Sequence, residues 1–281
     1  MIINTKSNKE MASSLASYFD ITEDELYQYI DYAANKSQQG HFFNTDIFQN
    51  ELVSIFSDLN PEKTIDEMYV YHLTRRLNDA DLSCDNLKEL LLTENVFTFF
   101  LQKHKITFFE RDEHPILYYC GKEVDLSNKS DVNVLYLRRR LGYNSNNTDY
   151  CFNGFAFKDL LMKNSYTYNL YECPEFIDVL SRCLNDSSIK SDYFNNSKYY
   201  CVTYKLKINE ILFDERDFLT VEEKIDYFIL QLCLRLLEHM CNNEQTLSDS
   251  GNPIIRIEDD VCISIKNMVE QEEITREMLK L

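Results

Sequence analysis

Glycine and proline are scarce in this 281-residue chain, at five and four residues, and tryptophan is absent. So few glycines leave no glycine-rich phosphate loop: neither the P-loop pattern nor the G-x-G-x-x-G dinucleotide fingerprint occurs. The usual signatures of the commonest nucleotide-binding folds are thereby excluded. Long apolar runs are missing too, and none approaches the roughly 20 residues that span a bilayer, so no membrane partner is expected. The first residues, Met1-Ile2-Ile3-Asn4-Thr5-Lys6, lack the apolar centre of a secretory signal. The nine cysteines are scattered, with no C-x-x-C pair and no Cys/His group at zinc spacing. In a chain without a signal they are expected as small buried hydrophobes in a reducing cytoplasm.

Cations are the next shortage. Lys and Arg number 29 against 47 Asp and Glu, a net charge of -18. Phosphates would be repelled over most of such a surface, so broad contact with nucleic acid is not favoured. Two readings of the charge stay open. It keeps the protein soluble, or it offers carboxylates in place of phosphates to occupy the basic groove of a partner.

What is abundant is aromatic, with 19 Tyr and 18 Phe. Residues 9–59 have helical periodicity. Thr22-Glu23-Asp24-Glu25 is a capping box ahead of Leu26, Tyr29, Ile30 and Ala33, and Asn44 or Thr45 opens a second helix stopped at Asn60-Pro61. A buried strand is expected over 69–73, a loop over 78–85, and a helix from about 86 to 103. The runs 106–110 and 116–120 flank Arg111-Asp112-Glu113-His114-Pro115 as a hairpin with a longer loop. Ser130 is placed to cap a helix whose last turn carries Arg138, Arg139 and Arg140, with Gly142 as its C-cap and a polar loop over 144–149. Those arginines either complement the helix dipole or clamp an anion. Residues 149–157 look like a strand with a glycine at a close approach, and Pro174 opens a helix. Strict alternation over 199–208 predicts a strand with one buried and one mixed face. Thr220 and Glu223 form a second capping box for a helix to about 241, followed by a loop from Asn242 to Asn252. Short strands at 254–257 and 261–265 and a polar helix from about Glu270 complete the chain. The expected class is α+β: a helical N-terminal part (1–65) packed on a mixed, mainly antiparallel sheet domain (66–281).

The stretch most suggestive of chemistry is Tyr69-Val70-Tyr71-His72-Leu73-Thr74-Arg75-Arg76-Leu77. A histidine closing a core strand is fixed in place, and strand alternation puts Thr74 on its face. Tyr71-His72-Leu73-Thr74-Arg75 resembles the His-x-Thr/Ser-Arg opening strand of ADP-ribosyltransferase folds of the His-Tyr-Glu type. Gly154-Phe155-Ala156-Phe157, with Tyr166 and Tyr168 after it, is similar in order and kind to that family's second strand and stacking tyrosine. The resemblance covers about 72–168 and implies an NAD-consuming enzyme of the toxin or phage-defence kind, with NAD as substrate.

In that reading His72 would bind the adenine-side or the nicotinamide ribose, and Thr74 would support the strand end. Arg75 would reach the pyrophosphate, Phe157 and Tyr166 would line the cofactor, and Tyr166 or Tyr168 would stack on nicotinamide. The family's late glutamate, which steadies the ribose cation, would be Glu258 or, second, Glu210. The chain departs from the family in having Leu73 where a glycine usually follows the histidine. The competing reading is an acidic, non-catalytic interaction protein whose His72 and Thr74 only satisfy buried backbone groups.

Overall fold

The computed structural model describes residues 1–59, 61–77, 84–143, 149–159, 161–163, 165–241 and 251–279. Of the loops expected over 78–85, 144–149 and 242–252, residues 78–83, 144–148 and 242–250 lie outside the described residues. The chain begins with β1 (Ile2–Ile3), α1 (Asn8–Phe19), α2 (Glu23–Ser37), β2 (Gln38–Gln39), β3 (Phe42–Phe43), α3 (Thr45–Ser57) and β4 (Glu67–Leu77). It continues with α4 (Leu87–Leu92), α5 (Val96–Lys103), β5 (Ile106–Arg111), β6 (His114–Tyr119), β7 (Lys122–Glu123), α6 (Val132–Arg140) and β8 (Asn153–Phe155). The remaining elements are α7 (Ser165–Glu172), α8 (Glu175–Cys183), α9 (Ser187–Asn196), β9 (Ser197–Lys207), β10 (Leu212–Phe213), α10 (Val221–Met240), β11 (Ile254–Arg256) and β12 (Met268–Glu273).

The class is α+β, as expected. Two compact units form, one from Met1–Tyr71, Phe155–Asn164 and Lys205–Ile255, the other from His72–Gly154, Ser165–Tyr204 and Arg256–Leu281. Strand β4 therefore carries residues of both, 67–71 in the first and 72–77 in the second.

In the first unit the helix starts are chemically explicit. Thr22 and Glu25 exchange bonds at the head of α2, the hydroxyl accepting from the Glu25 amide at 3.2 Å and the carboxylate accepting from the Thr22 amide at 2.8 Å. Thr220 and Glu223 repeat the device on α10, and the Asn44 side chain accepts from Asp46 and Ile47 at the start of α3. Their apolar stripes then turn inward: Leu26, Ile30 and Ala33 on α2, Phe48, Leu52 and Phe56 on α3. α10 buries Phe228, Leu232 and Leu236 together with Leu230 and Cys233, the broad apolar girth expected of a central helix. Within this unit Tyr71 of β4 pairs with Phe155 of β8, and β1 is parallel to β4 in the register Ile3↔Met68.

In the second unit β9 is flanked by β4 and β12, the last antiparallel to it with Gln271↔Val202 in register. This corrects two expectations. The polar helix expected from Glu270 is instead a strand, because its backbone completes the ladder of β9 and needs only one sheltered face. And β9 is buried on both faces from Tyr199 to Thr203, so the alternate positions Cys201 and Thr203 are as enclosed as Tyr200 and Val202.

The helix expected over 86–103 breaks in two. α4 ends where the Thr93 amide returns to the Glu89 carbonyl, and Asn95 restarts the helix by accepting from the Thr98 amide at 2.9 Å. Asp131, not Ser130, caps α6. The hairpin of β5 and β6 turns in two residues rather than five: Asp112 and Glu113 both take positive φ, 52° and 66°. That geometry matches strand twist, and it extends β6 back through Pro115. The tyrosine-rich segment forms helix α7, and the strand at 149–157 shrinks to β8.

Gly142 closes α6 at φ +74°, and any Cβ there would lie 2.0 Å from the Tyr150 hydroxyl. Gly121 has a similar φ of +75° but faces open space. Gly121→Ala is therefore expected to cost only the left-handed backbone penalty, about 1–2 kcal/mol. Gly142→Ala adds overpacking against Tyr150, for a total of about 2–5 kcal/mol. Urea unfolding of the two variants side by side checks the difference.

Candidate functional site

His72 lies on the second-unit portion of β4, half-buried like Thr74, while the alternate residues Leu73 and Arg75 are buried. The expected sharing of one face by His72 and Thr74 is thus present. The His72 ring sits 4.5 Å from the Phe152 ring and 6.4 Å from Tyr204. Its Nδ1 is 2.6 Å from the Asn153 carbonyl oxygen. A carbonyl only accepts, so Nδ1 carries the proton and donates, and Nε2 keeps its lone pair. Burial pulls the imidazole down to about 4; the Asn153 carbonyl opposes the shift and the Arg76 charge adds to it. His72 is neutral at pH 7, an acceptor rather than a cation.

The two arginines beside it are internal. Arg75 is 6% exposed. Its Nε donates to the Ser197 hydroxyl at 2.9 Å, Nη2 to the carbonyls of Phe194 at 3.0 Å and Ser197 at 2.7 Å, and Nη1 to the Tyr171 carbonyl. The rings of Phe194 and Tyr171 cover it at 4.6 and 5.7 Å. The Tyr193 hydroxyl bonds the Arg75 carbonyl in return at 2.9 Å. The donors that a pyrophosphate would need are committed to main-chain oxygens. Arg76, 2% exposed, donates from Nη2 to the Tyr204 hydroxyl at 3.1 Å, and the Cys84 sulfur lies 3.3 Å from the same hydroxyl.

The remaining sequence-derived candidates are distributed. Phe157 belongs to the first unit, where it is 1% exposed and stacks on Phe228, with its amide and carbonyl both bonded by the Asn252 side chain. It is a core residue there, not a free face for a cofactor. Tyr166 and Tyr168 stand on α7, Tyr166 exposed and Tyr168 half-buried; between them Thr167 is buried, its carbonyl taking the Tyr199 hydroxyl at 3.1 Å. Partial burial and the Glu175 carboxylate push the Tyr166 phenol up.

Glu258 is exposed in a turn beyond β11, not on a strand, and its carbonyl accepts the Val261 amide. Glu210 pairs with Lys207 in the first unit. The arginines at the end of α6 complement structure: Arg139 and Arg140 both reach Asp149, at 3.2 and 2.6 Å, and Arg138 donates to the Leu126 carbonyl.

Sequence reasoning missed Asp259. Its Oδ1 accepts the amides of Tyr150 at 3.1 Å and Cys151 at 2.9 Å, holding the segment that leads into Phe152 and Asn153. The one available signal was its place in the acidic turn two residues after Ile257, where a short acidic side chain is well set to take amides. It also missed Phe152 and Tyr204, the aromatic walls around His72. Among the described residues no group of three His, Cys, Asp or Glu could hold a metal ion, and no helix is long and apolar enough to cross a membrane. Comparison with protein-family models, curated proteins and solved structures found no match to this chain.

A histidine that resists protonation when folded links stability to pH. Its folded pKa lies below the unfolded value of 6.5, so its contribution is full above about 6.5 and is lost as pH falls toward 4. Urea unfolding at pH 7, 5.5 and 4.5 is expected to show up to about 3 kcal/mol of acid-dependent loss. In His72→Gln that component disappears, leaving only the carboxylate contribution.

Proposed function

We propose that this chain is an acidic binding protein that engages a basic partner. The observation that carries the reading is where the two signs of charge go. The buried charged residues are Arg75, Arg76, Lys224 and Arg235, and no Asp or Glu joins them among the described residues. The surface is therefore more acidic than the net charge of -18 already implies. Such a surface steers cations toward itself and repels nucleic acid.

A second reading keeps the resemblance to ADP-ribosyltransferases and makes the chain NAD-consuming. What favours it is His72: neutral, tautomer-fixed by Asn153, and able to accept a ribose hydroxyl at Nε2. Against it stand the buried Arg75 guanidinium, already bonded to Tyr171, Phe194 and Ser197, the core position of Phe157 and the solvated turn that holds Glu258.

One experiment separates the two. Binding of a fluorescent oligolysine is measured at low and raised salt, and nicotinamide release from NAD is followed in the same preparation. The first reading expects oligolysine binding that weakens about tenfold or more as the screening length contracts from about 14 Å to about 6 Å, with no nicotinamide released. Nicotinamide release that is lost in His72→Ala, or no oligolysine binding at low salt, would overturn it.

A further inference from the structure

Two reduced thiols of the second unit, far apart in sequence, are brought together by its backbone. The Ile263 amide donates to the Cys84 carbonyl at 3.1 Å. The Asn86 amide points at the Cys262 sulfur at 3.5 Å. Residues 84–86 and 262–263 thus run alongside each other, tied from both directions. The two thiols are close enough that charge on Cys84 acts on Cys262, and a disulfide requires their Cα atoms to come within about 4.4–6.8 Å. Cys262 is exposed and Cys84 half-buried, so the first is the thiol that meets a solvent-borne oxidant. The amides of the other exposed thiols, Cys120 and Cys241, bond instead to the carbonyls of Lys105 and Leu237.

We propose that Cys84 and Cys262 form a reversible disulfide when the protein meets a peroxide. The Cys262 thiol gives up its proton and the thiolate attacks hydrogen peroxide: an S–O bond forms, the O–O bond breaks, and the departing hydroxide takes up the released proton and leaves as water, giving the sulfenic acid. The Cys84 sulfur then attacks that sulfur: the S–S bond forms, the S–O bond breaks and a second water leaves with the Cys84 proton. Two thiols are oxidised and one peroxide is reduced to two waters. A dithiol reductant reverses the bond by exchange.

The local charges set the pace. Burial and the carboxylates of Asp85 and Glu89 hold the Cys262 thiol up, while the Asn86 amide favours its thiolate. The reaction is accordingly slow at neutral pH and quickens toward alkaline pH. Its structural effect is local as well. Cys84 leaves the hydroxyl of Tyr204, which retains Arg76, and the segment after β4 becomes covalently tied to the segment before β12. So long a closed loop restricts the unfolded chain, and the melting temperature rises on oxidation.

The test is peptide mapping of the unaltered protein after hydrogen peroxide, with no reductant during digestion. The expected product is a linked pair of peptides holding Cys84 and Cys262, accompanied by loss of two of the nine thiols and a mass decrease of about 2 Da that a dithiol reverses. Cys84→Ser and Cys262→Ser each remove the linked pair. Absence of that pair in the unaltered protein, or oxidation that proceeds to the sulfinic acid at Cys262 with Cys84 still reduced, overturns the proposal, whether or not the variants fold.

Discussion

A guanidinium taken out of water must have its donors met in place, and Arg75 meets that demand almost entirely with main-chain carbonyls. Tyr171 at the end of α7, Phe194 on α9 and Ser197 at the start of β9 each supply an oxygen, and the Ser197 hydroxyl takes the Nε proton while donating to the Tyr193 carbonyl. One side chain thereby satisfies the carbonyls left over at two helix ends and the first residue of the central strand of the second unit. All of these acceptors are neutral, so the charge is stabilised by oriented dipoles and by the faces of Phe194 and Tyr171. Burial depresses the arginine pKa, but the group stays charged at neutral pH.

This arrangement belongs to a wider sorting of charge. Arg235 of α10 is 2% exposed and donates from Nε to Asp159 at 2.5 Å; Lys224, also buried, donates from Nζ to the Ile211 carbonyl at 2.7 Å. Cations are taken inside to bind oxygens of the scaffold, and no Asp or Glu among the described residues is as fully buried, although Asp159, whose side chain is 11% exposed, follows Arg235 inward. A chain already poor in lysine and arginine thus withdraws some of the few it has. The acidic surface is a consequence of how the core is held as much as of composition.

What could be read beforehand follows from how local each determinant is. Thr22 with Glu25 and Thr220 with Glu223 act within one helical turn, so both helix starts were legible. The strand at β4 was legible from its apolar-aromatic run, and its length grew only by tertiary pairing. β12 was not legible, because Met268–Glu273 has little β preference of its own and becomes a strand by completing β9. The two-residue turn at Asp112-Glu113 hid behind a proline and two residues that rarely take positive φ. For the candidate site, the alternation that pairs His72 with Thr74 was visible. The fate of Arg75 was not, since its acceptors come from residues about a hundred positions away and no spacing rule encodes them. Asp259 and Asn153 escaped for the same reason: each acts on a segment distant in sequence.

Arg75 either holds structure or waits for an anion. Lysine keeps the charge but lacks the planar fork that reaches several carbonyls at once. Hydrogen exchange of Arg75→Lys, followed by mass spectrometry across 165–204, decides between them. The account predicts that amides around Tyr171, Phe194 and Ser197 lose protection in the variant without any ligand present. Protection unchanged across those residues would contradict it, and would return Arg75 to the solvent-facing role that the ADP-ribosyltransferase resemblance assigns.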